Sequence, residues 1–430
     1  MMSGLVANER LQRLRPALVG YLLSSGALAS AALSQLVTFA ILARALGPRE
    51  FGLFVQISAV TAIAVQLCGL GASDGLLRQV AREPGSYAAL LGHNLCLITL
   101  SGVVLVSGGA FALSAWLRIG TGPSLGAGTL VLLLFGNVVV VRVILLVETA
   151  FLGLGRFDQA NRTVAGFALT RMAMAGLACL VFGVSTLAEW AIWQCAGHLL
   201  YAVAGAVSLR RFGRPRLAIL REELMPGLLF ASQFAMRAIR ANVDLLVIGL
   251  FAPLATVGSY GVARRIMDSS YLVIDALNRL LYPRLARASR DGLHNALPLT
   301  KRALAAALGL GLATCLVLFL LAPELPVLFG RHYQDLSFFV RCLSGTIILV
   351  GAWAVAVDLL GASGRQDIRA WILNGANLLG SALIAAATWL AAPVGTFVAL
   401  YLVEGVIAGI AWLVLLRLVR RSRLQAEASL

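Results

Sequence analysis

Long apolar runs separated by short polar joints fill this chain from one end to the other. Twelve can be marked, near residues 21–45, 51–72, 88–115, 126–152, 163–184, 187–208, 227–251, 256–282, 302–328, 336–361, 368–391 and 394–418. Each is long enough for a membrane-spanning helix, which needs about 20 apolar residues. Gly and Pro punctuate the joints, as at Gly47-Pro48, Pro84-Gly85, Gly213-Arg214-Pro215 and Pro393, where their backbone preferences interrupt helices. The longest connection, Arg210 to Met225, is too short for a folded domain. The pattern predicts an all-α membrane protein of twelve transmembrane helices with no soluble catalytic domain. The first run is longer than the roughly 7–15 apolar residues of a secretory signal, so it is expected to stay as a span.

The arginines alternate with the runs. The termini and even-numbered loops carry Arg10, Arg13 and Arg15, then Arg78 and Arg82, Arg156 and Arg162, and the group from Arg210 to Arg221. They continue with Arg284, Arg287 and Arg290, then Arg365 and Arg369, and end with Arg417 to Arg423. The opposite side has little beyond Arg44, Arg49, Arg118 and Arg331. Basic loops stay cytoplasmic, so both termini are expected in the cytoplasm. Trp116, Trp190 and Trp389 fall at the predicted outer ends and suit an interfacial belt.

The second half echoes the first. Leu152-Gly153-Leu154-Gly155-Arg156-Phe157-Asp158 after the fourth run resembles Leu360-Gly361-Ala362-Ser363-Gly364-Arg365-Gln366-Asp367 after the tenth. Ser34-Gln35 has a counterpart in Ser232-Gln233, and Phe51-Gly52-Leu53-Phe54 in Val257-Gly258-Ser259-Tyr260. Six spans per half give both halves one orientation. The expected organisation is an N-terminal six-helix lobe over 1–208, a cytoplasmic linker over 209–226 and a C-terminal six-helix lobe over 227–430. The two parallel lobes are expected to flank a central cavity.

Composition agrees with this reading. Of 430 residues, 60% are hydrophobic and 13% charged, against roughly a quarter charged in soluble domains. The net charge of +16 would suggest nucleic acid in a soluble protein. Here basic loops account for it, and no nucleic-acid partner is implied. The six cysteines lie scattered in apolar runs without CxxC spacing, which indicates packing rather than metal or disulfide.

Charged residues inside apolar runs cost roughly 2.5–3.5 kcal/mol each on insertion scales, so they are expected to face protein or water. The seventh run carries Gln233, Arg237, Arg240 and Asp244 on one helical face, as spacings of four, three and four require. The eighth carries Arg264, Asp268, Asp275 and Arg279 on one stripe, with Arg265 beside it, and opposite charges four residues apart could neutralise each other. Arg142, Arg171, Arg341 and Glu404 are further candidates. Interhelical pairing and snorkelling are the structural explanation, strongest for Arg279, Arg284 and Asp358 near run ends. It is weakest for Arg237 and Arg240, which lie halfway along a run. Two arginines and one acid on adjacent turns leave surplus positive charge, which suits an anionic headgroup such as phosphate. Asn374 and Asn377 read equally as cavity polar groups or interhelical bonds. No cofactor, metal or catalytic set is indicated, and no GxxxxGK[ST] motif for ATP occurs. The driving force would be a membrane potential, an H⁺ or Na⁺ gradient, or consumption of product. Glu148, Asp244, Asp268, Asp275, Asp358 and Glu404 are equal candidates for ion coupling.

The residues also carry a family resemblance. Leu33-Ser34-Gln35 followed by Ala43-Arg44-Ala45-Leu46-Gly47-Pro48-Arg49-Glu50-Phe51-Gly52-Leu53-Phe54 resembles the opening of polysaccharide flippases. Gly69-Leu70-Gly71 with Leu77-Arg78-Gln79-Val80-Ala81 is similar to the stretch that follows it. Asp244 to Gly249 with Val257-Gly258-Ser259-Tyr260-Gly261-Val262-Ala263 resembles the second-half signature, and Gly364-Arg365 fits as well. The family is the Wzx-type branch of the multidrug/oligosaccharidyl-lipid/polysaccharide (MOP) exporter superfamily.

The resemblance implies two MATE-like six-helix lobes and alternating access in the bacterial cytoplasmic (inner) membrane. It implies movement of undecaprenyl-pyrophosphate-linked oligosaccharide to the outer leaflet, for O-antigen of lipopolysaccharide, capsule or exopolysaccharide. A polysaccharide polymerase with its chain-length complex would be a partner, besides membrane lipid. By motif, Arg237 and Arg240 would hold the pyrophosphate, joined by Arg142 and Arg264. Gln35, Gln233, Asp244, Asp268, Asn374 and Asn377 would supply further cavity polarity.

Other readings fit less well. A cation-coupled multidrug exporter of the MATE type would want carboxylates in the first lobe's cavity, and residues 21–43 contain no acid. Lipid II flippases usually carry two extra helices. A major-facilitator motif is not met at Gly71 to Arg78. A membrane polymerase or ligase would need a sizeable outer loop.

Overall fold

A computed structural model describes the backbone of residues 2–119, 125–290 and 292–428, with side chains over 29–115, 125–290 and 292–424. Arg10, Arg13, Arg15, Trp116 and Arg118 of the topology argument lie outside the described side chains. Among the described residues there is no strand. The helices are α1 (Met2–Leu67), α2 (Ala72–Arg82), α3 (Tyr87–Ile119), α4 (Ala127–Leu134), α5 (Val141–Gly153), α6 (Phe157–Ala175) and α7 (Leu187–Leu209). They continue with α8 (Arg221–Phe251), α9 (Leu254–Ala288), α10 (Leu297–Leu321), α11 (Leu325–Phe329), α12 (Leu336–Ser344), α13 (Thr346–Ala362), α14 (Gln366–Ala391) and α15 (Val394–Ala428).

The protein is a multi-pass membrane protein. Among the described residues, nine helical stretches are long and apolar enough to cross a bilayer. The twelve-run reading differs in three places. One of the nine stretches, Ala29–Leu67, covers the first two runs, and Gly47 (φ 70, ψ 171) breaks α1 between them. The other two are α8 and α9, of 31 and 35 residues, whose charges keep them from passing as plain apolar spans. Those charges are the ones that build the site below.

The chain divides into two compact units, residues 1–46 with 60–235, and residues 47–59 with 236–430. The sequence-based boundary at 209–226 differs from this division. The linker and the start of α8 group with the first unit, and the segment after the Gly47 break groups with the second.

In the first unit the linker is bound to α3. The Arg216 amide donates to the Ala88 carbonyl at 2.8 Å, and the Leu220 amide donates to Nδ1 of His93 at 3.0 Å. Gly92 permits this, because a side chain there would collide with the Arg216 carbonyl. Near the helix α2 end, Gln79 hydrogen-bonds Glu223, and Arg78 lies 4.0 Å from the same carboxylate.

The repeated loop motif takes one shape in both halves. Gly155 (φ 69) and Gly364 (φ 83) adopt left-handed backbone. The Arg156 amide reaches the Phe151 carbonyl at 2.8 Å and the Arg365 amide reaches the Leu360 carbonyl at 3.0 Å. The Gly155 and Gly364 amides bond Leu152 and Gly361 carbonyls at 3.0 and 3.2 Å. Each is a Schellman cap, which satisfies carbonyls that the helix end would otherwise orphan.

Candidate functional site

The charged faces of α8 and α9 meet α13, α14 and α15 inside the second unit. Two confluent chambers of about 680 and 310 Å³ lie there, sharing Arg237, Asp275, Trp353, Leu373 and Asn377. Their walls present five guanidinium groups, Arg237, Arg240, Arg264, Arg279 and Arg369, against the carboxylates of Asp275, Asp358 and Glu404. Asp244 behind Arg264 makes a fourth acid, so one positive charge remains in surplus. Every residue lining this hollow lies in the second unit.

The arginines differ in how tightly they are held. Arg240 donates from Nη2 to Oε1 of Glu404 at 2.7 Å, and both side chains keep only 13% exposure. Oε2 of Glu404 accepts the Trp353 indole N–H at 2.8 Å, which fixes that carboxylate from both sides. Gly380 makes room for the pair, since a Cβ there would sit 3.1 Å from Nε of Arg240. Arg237 is exposed and lines both chambers.

Arg264 pairs across helices. Its Nε lies 3.0 Å from Oδ2 of Asp244, whose side chain is 1% exposed, and Nη2 donates to the Ala241 carbonyl at 3.4 Å. The Tyr260 hydroxyl donates to the same Asp244 oxygen at 2.6 Å. Phe339 and Phe397 flank the Tyr260 ring at 6.0 and 6.1 Å. This corrects the expected pairing of Arg264 with Asp268. A buried charge gains most from the partner that shares its shielded site, and Asp268 is half-exposed and pairs at 3.8 Å with Arg265 instead.

Other expected site residues divide. Asn377 lines both chambers, whereas Asn374 and Gln233 are exposed and line neither. Asp268 lines neither as well. Gln35 belongs to a separate hollow of about 170 Å³ in the first unit, with Thr38, Glu148, Thr163 and Arg171. Arg142 does not join the other arginines. It is buried in the first unit, donating from Nη2 to Ser73 Oγ at 3.0 Å, and Ser73 in turn donates to Asn94 at 3.2 Å. Gly69 lies against its Nε. Burial pushes the nearby Asp74 carboxyl up, against the opposing pull of Arg142. Arg142 is therefore a packing and hydrogen-bonding residue of the first unit.

The sequence reading missed Trp353, Tyr271, Asn278, Tyr282 and Arg369 as wall residues. Tyr271 and Thr346 share a hydrogen bond at 2.9 Å, and Arg369 lies 3.6 Å from Asp358. Tyr271, Asn278 and Tyr282 follow Arg264 and Asp275 at helical spacing on α9, a signal available in the sequence. Trp353 and Arg369 come from other helices, and no local spacing points to them.

Residues 19–289 match the model of a family described as polysaccharide biosynthesis protein. The chain belongs to that family. No curated protein matches it in sequence. Among solved structures, this family member is similar to an inward-facing multidrug resistance MATE family transporter of the MOP superfamily, at 16% identity and TM-score 0.74. The match covers 91% of this chain and 95% of that one. It is also similar to the lipid II flippase MurJ in an inward closed conformation, at 14% identity and TM-score 0.71, over 92% of this chain and 87% of that one. A MOP superfamily transporter from Pyrococcus furiosus Vc1 (DSM3638), described as having a binding pocket of reversed polarity, matches at 14% identity and TM-score 0.55. That match covers 93% of this chain and 97% of the other. These likenesses establish the MOP transporter fold for this polysaccharide biosynthesis family member.

Proposed function

We propose that this protein is a flippase that moves a polyprenyl-pyrophosphate-linked oligosaccharide across the cytoplasmic membrane by alternating access. Family membership supports a role in polysaccharide biosynthesis, and the fold is that of transporters. The observation that carries the reading is the arginine-lined hollow with Arg237 exposed at its wall. A pyrophosphate headgroup cannot cross about 30 Å of hydrocarbon unaided. Guanidinium groups offer it paired N–H donors without a metal. Arg237 and Arg240, a turn apart on α8, meet the headgroup together. Arg264 and Arg369 set the field around them. Both termini lie on the cytoplasmic side, as the arginine distribution indicates. A polysaccharide polymerase with its chain-length complex receives the product.

The test replaces Arg237 and Arg240 together by Ala in cells that depend on this chain for a surface glycan. Lipid-linked oligosaccharide is expected to accumulate on the cytoplasmic side, with export reduced at least about tenfold. The Lys pair should retain part of the activity. Undiminished export by the Ala pair in a folded protein would sink the proposal.

The hollow in the first unit favours one other reading. Glu148 and Gln35 share it, so a carboxylate does reach a first-lobe cavity despite the acid-free first run. A cation-coupled multidrug exporter would use such a group. Export of a cationic dye, lost in Glu148→Gln, would favour that reading.

A further inference from the structure

The first unit holds a cavity of different character, about 580 Å³ in volume. Its walls are hydrocarbon, with Leu95 of α3, Val143 and Val147 of α5 and Leu209 of α7, and its rim carries Arg210 and Arg214. Its size falls in the roughly 300–1,000 Å³ range of pockets that enclose small ligands. The rim is built, not incidental. Arg210 sits in the 3₁₀ turn Arg210–Phe212 that ends α7. Arg214 and Pro215 follow in the linker, which the Arg216 and Leu220 amides tie to α3. Arg211 stacks on the neighbouring Phe212 ring at 4.9 Å and does not line the hollow. Arg210 and Arg214 are both exposed, and among the described residues neither has a carboxylate within ion-pair distance.

An occupant must therefore bring two things at once. It needs an apolar chain to fill walls that water wets poorly, and an anionic head to meet two guanidinium groups at the mouth. Inorganic phosphate supplies only the second, and a zwitterionic lipid brings no net charge. Basic pockets between transmembrane helices on the cytoplasmic side suit anionic headgroups. The fork of a guanidinium suits phosphate oxygens. We propose that this cavity binds an anionic phospholipid, with an acyl chain among Leu95, Val143, Val147 and Leu209 and the phosphate between Arg210 and Arg214. The site lies outside the arginine chambers of α8 and α9, so its occupant is a resident lipid and not the cargo.

The test uses the full chain in detergent micelles, with lipid retention read by native mass spectrometry. Phosphatidylglycerol and phosphatidylcholine of identical acyl chains are the probes. Phosphatidylglycerol is expected to be retained roughly thirtyfold better, as two arginines near a lipid headgroup imply. Arg210→Ala with Arg214→Ala should bring it down to the phosphatidylcholine level, and the paired Lys variant should keep most of the preference. Val143→Trp, which fills the hollow with both arginines intact, should also lower retention. Its counterpart Leu95→Phe serves if that variant does not fold. Equal retention of the two lipids by the wild-type protein, or full retention by the double Ala variant, overturns the proposal. Displacement by inorganic phosphate alone would reduce the site to an anion site and overturn it too. Preference for a polyprenyl phosphate over phosphatidylglycerol would assign the cavity to the substrate instead. Thermal melting gives an independent reading, since a ligand specific to the native state raises the midpoint. Phosphatidylglycerol should raise the wild-type midpoint and leave that of the double Ala variant unmoved.

Discussion

Gly52 of α1 and Gly258 of α9 face each other within the second unit so closely that neither can carry a side chain. A Cβ on Gly258 would lie 2.5 Å from the Pro48 carbonyl, and one on Gly52 would run into the Leu254 carbonyl. The relation is reciprocal, because Pro48 precedes Gly52 by the same interval as Leu254 precedes Gly258. Farther along, a Cβ on Gly261 would meet the side chain of Val55 at 2.6 Å. The two segments are the ones whose sequences echo each other, and their small residues let backbones approach as GxxxG-like crossings do.

Gly52→Leu or Gly258→Leu should therefore be poorly tolerated. Overpacking a tight contact costs about 1–3 kcal/mol when neighbours can yield, and a backbone carbonyl yields less than a side chain. The expected result is a lowered melting midpoint in a fixed detergent for either variant. The double variant should be no better than the worse single one. A wild-type midpoint for either Leu variant would mean that the crossing is looser than it looks.

Arg240 and Glu404 form a close charge pair in the cavity wall, at 2.7 Å. Removing one partner of a shielded pair leaves the other uncompensated, at a cost of about 3–5 kcal/mol. Arg240→Met and Glu404→Gln should each destabilise the protein, and the combination should cost less than the two added together. A coupling energy of roughly 0.5–3 kcal/mol from the double-mutant cycle is expected for groups in contact. Additive losses would show that the pair does not act as a unit.

Asp244 should be more sensitive than its hydroxyl partner. It accepts from Tyr260 and neutralises Arg264. Tyr260→Phe removes one hydrogen bond and should cost about 1–3 kcal/mol. Asp244→Asn keeps the shape and removes the charge that Arg264 needs, so its loss should be the larger. Thermal melting of the two variants ranks them, and the reverse order would refute the assignment of Asp244 as the counter-ion.

Much of this site was legible in the sequence because membranes make charge conspicuous. Arg237 and Arg240 stood out as midway along an apolar run, and both line the hollow. Helical spacing alone could not choose between Asp268 and Asp244 as the partner of Arg264, since the second lies on another helix. The same limit explains Arg142. Its mid-span position resembled that of Arg237, but Ser73 and Gly69, brought over by the loop before α2, shield it within the first unit. Trp353 and Arg369 reach the cavity through helix packing that no local pattern encodes. Even the strength of the charge signal had a price, because it kept α8 and α9 below the hydropathy of the other spans.

The paired caps at Gly155 and Gly364 allow a cleaner test of the internal repeat. Both glycines have left-handed backbone, and a Cβ at either would meet nothing within 4 Å. Steric crowding with neighbours is therefore absent, and only the backbone conformation resists a side chain. Alanine should cost about 1–2 kcal/mol at each position, the penalty for left-handed backbone in an L-residue. Asparagine should cost less, because its short polar side chain tolerates that region. Since both loops make the same two hydrogen bonds, the two alanine variants should lower the melting midpoint by similar amounts. Their effects should add in the double variant, as expected of distant sites. A large loss at one glycine and none at the other would show that the two loops, though alike in sequence, are not equivalent in the folded protein.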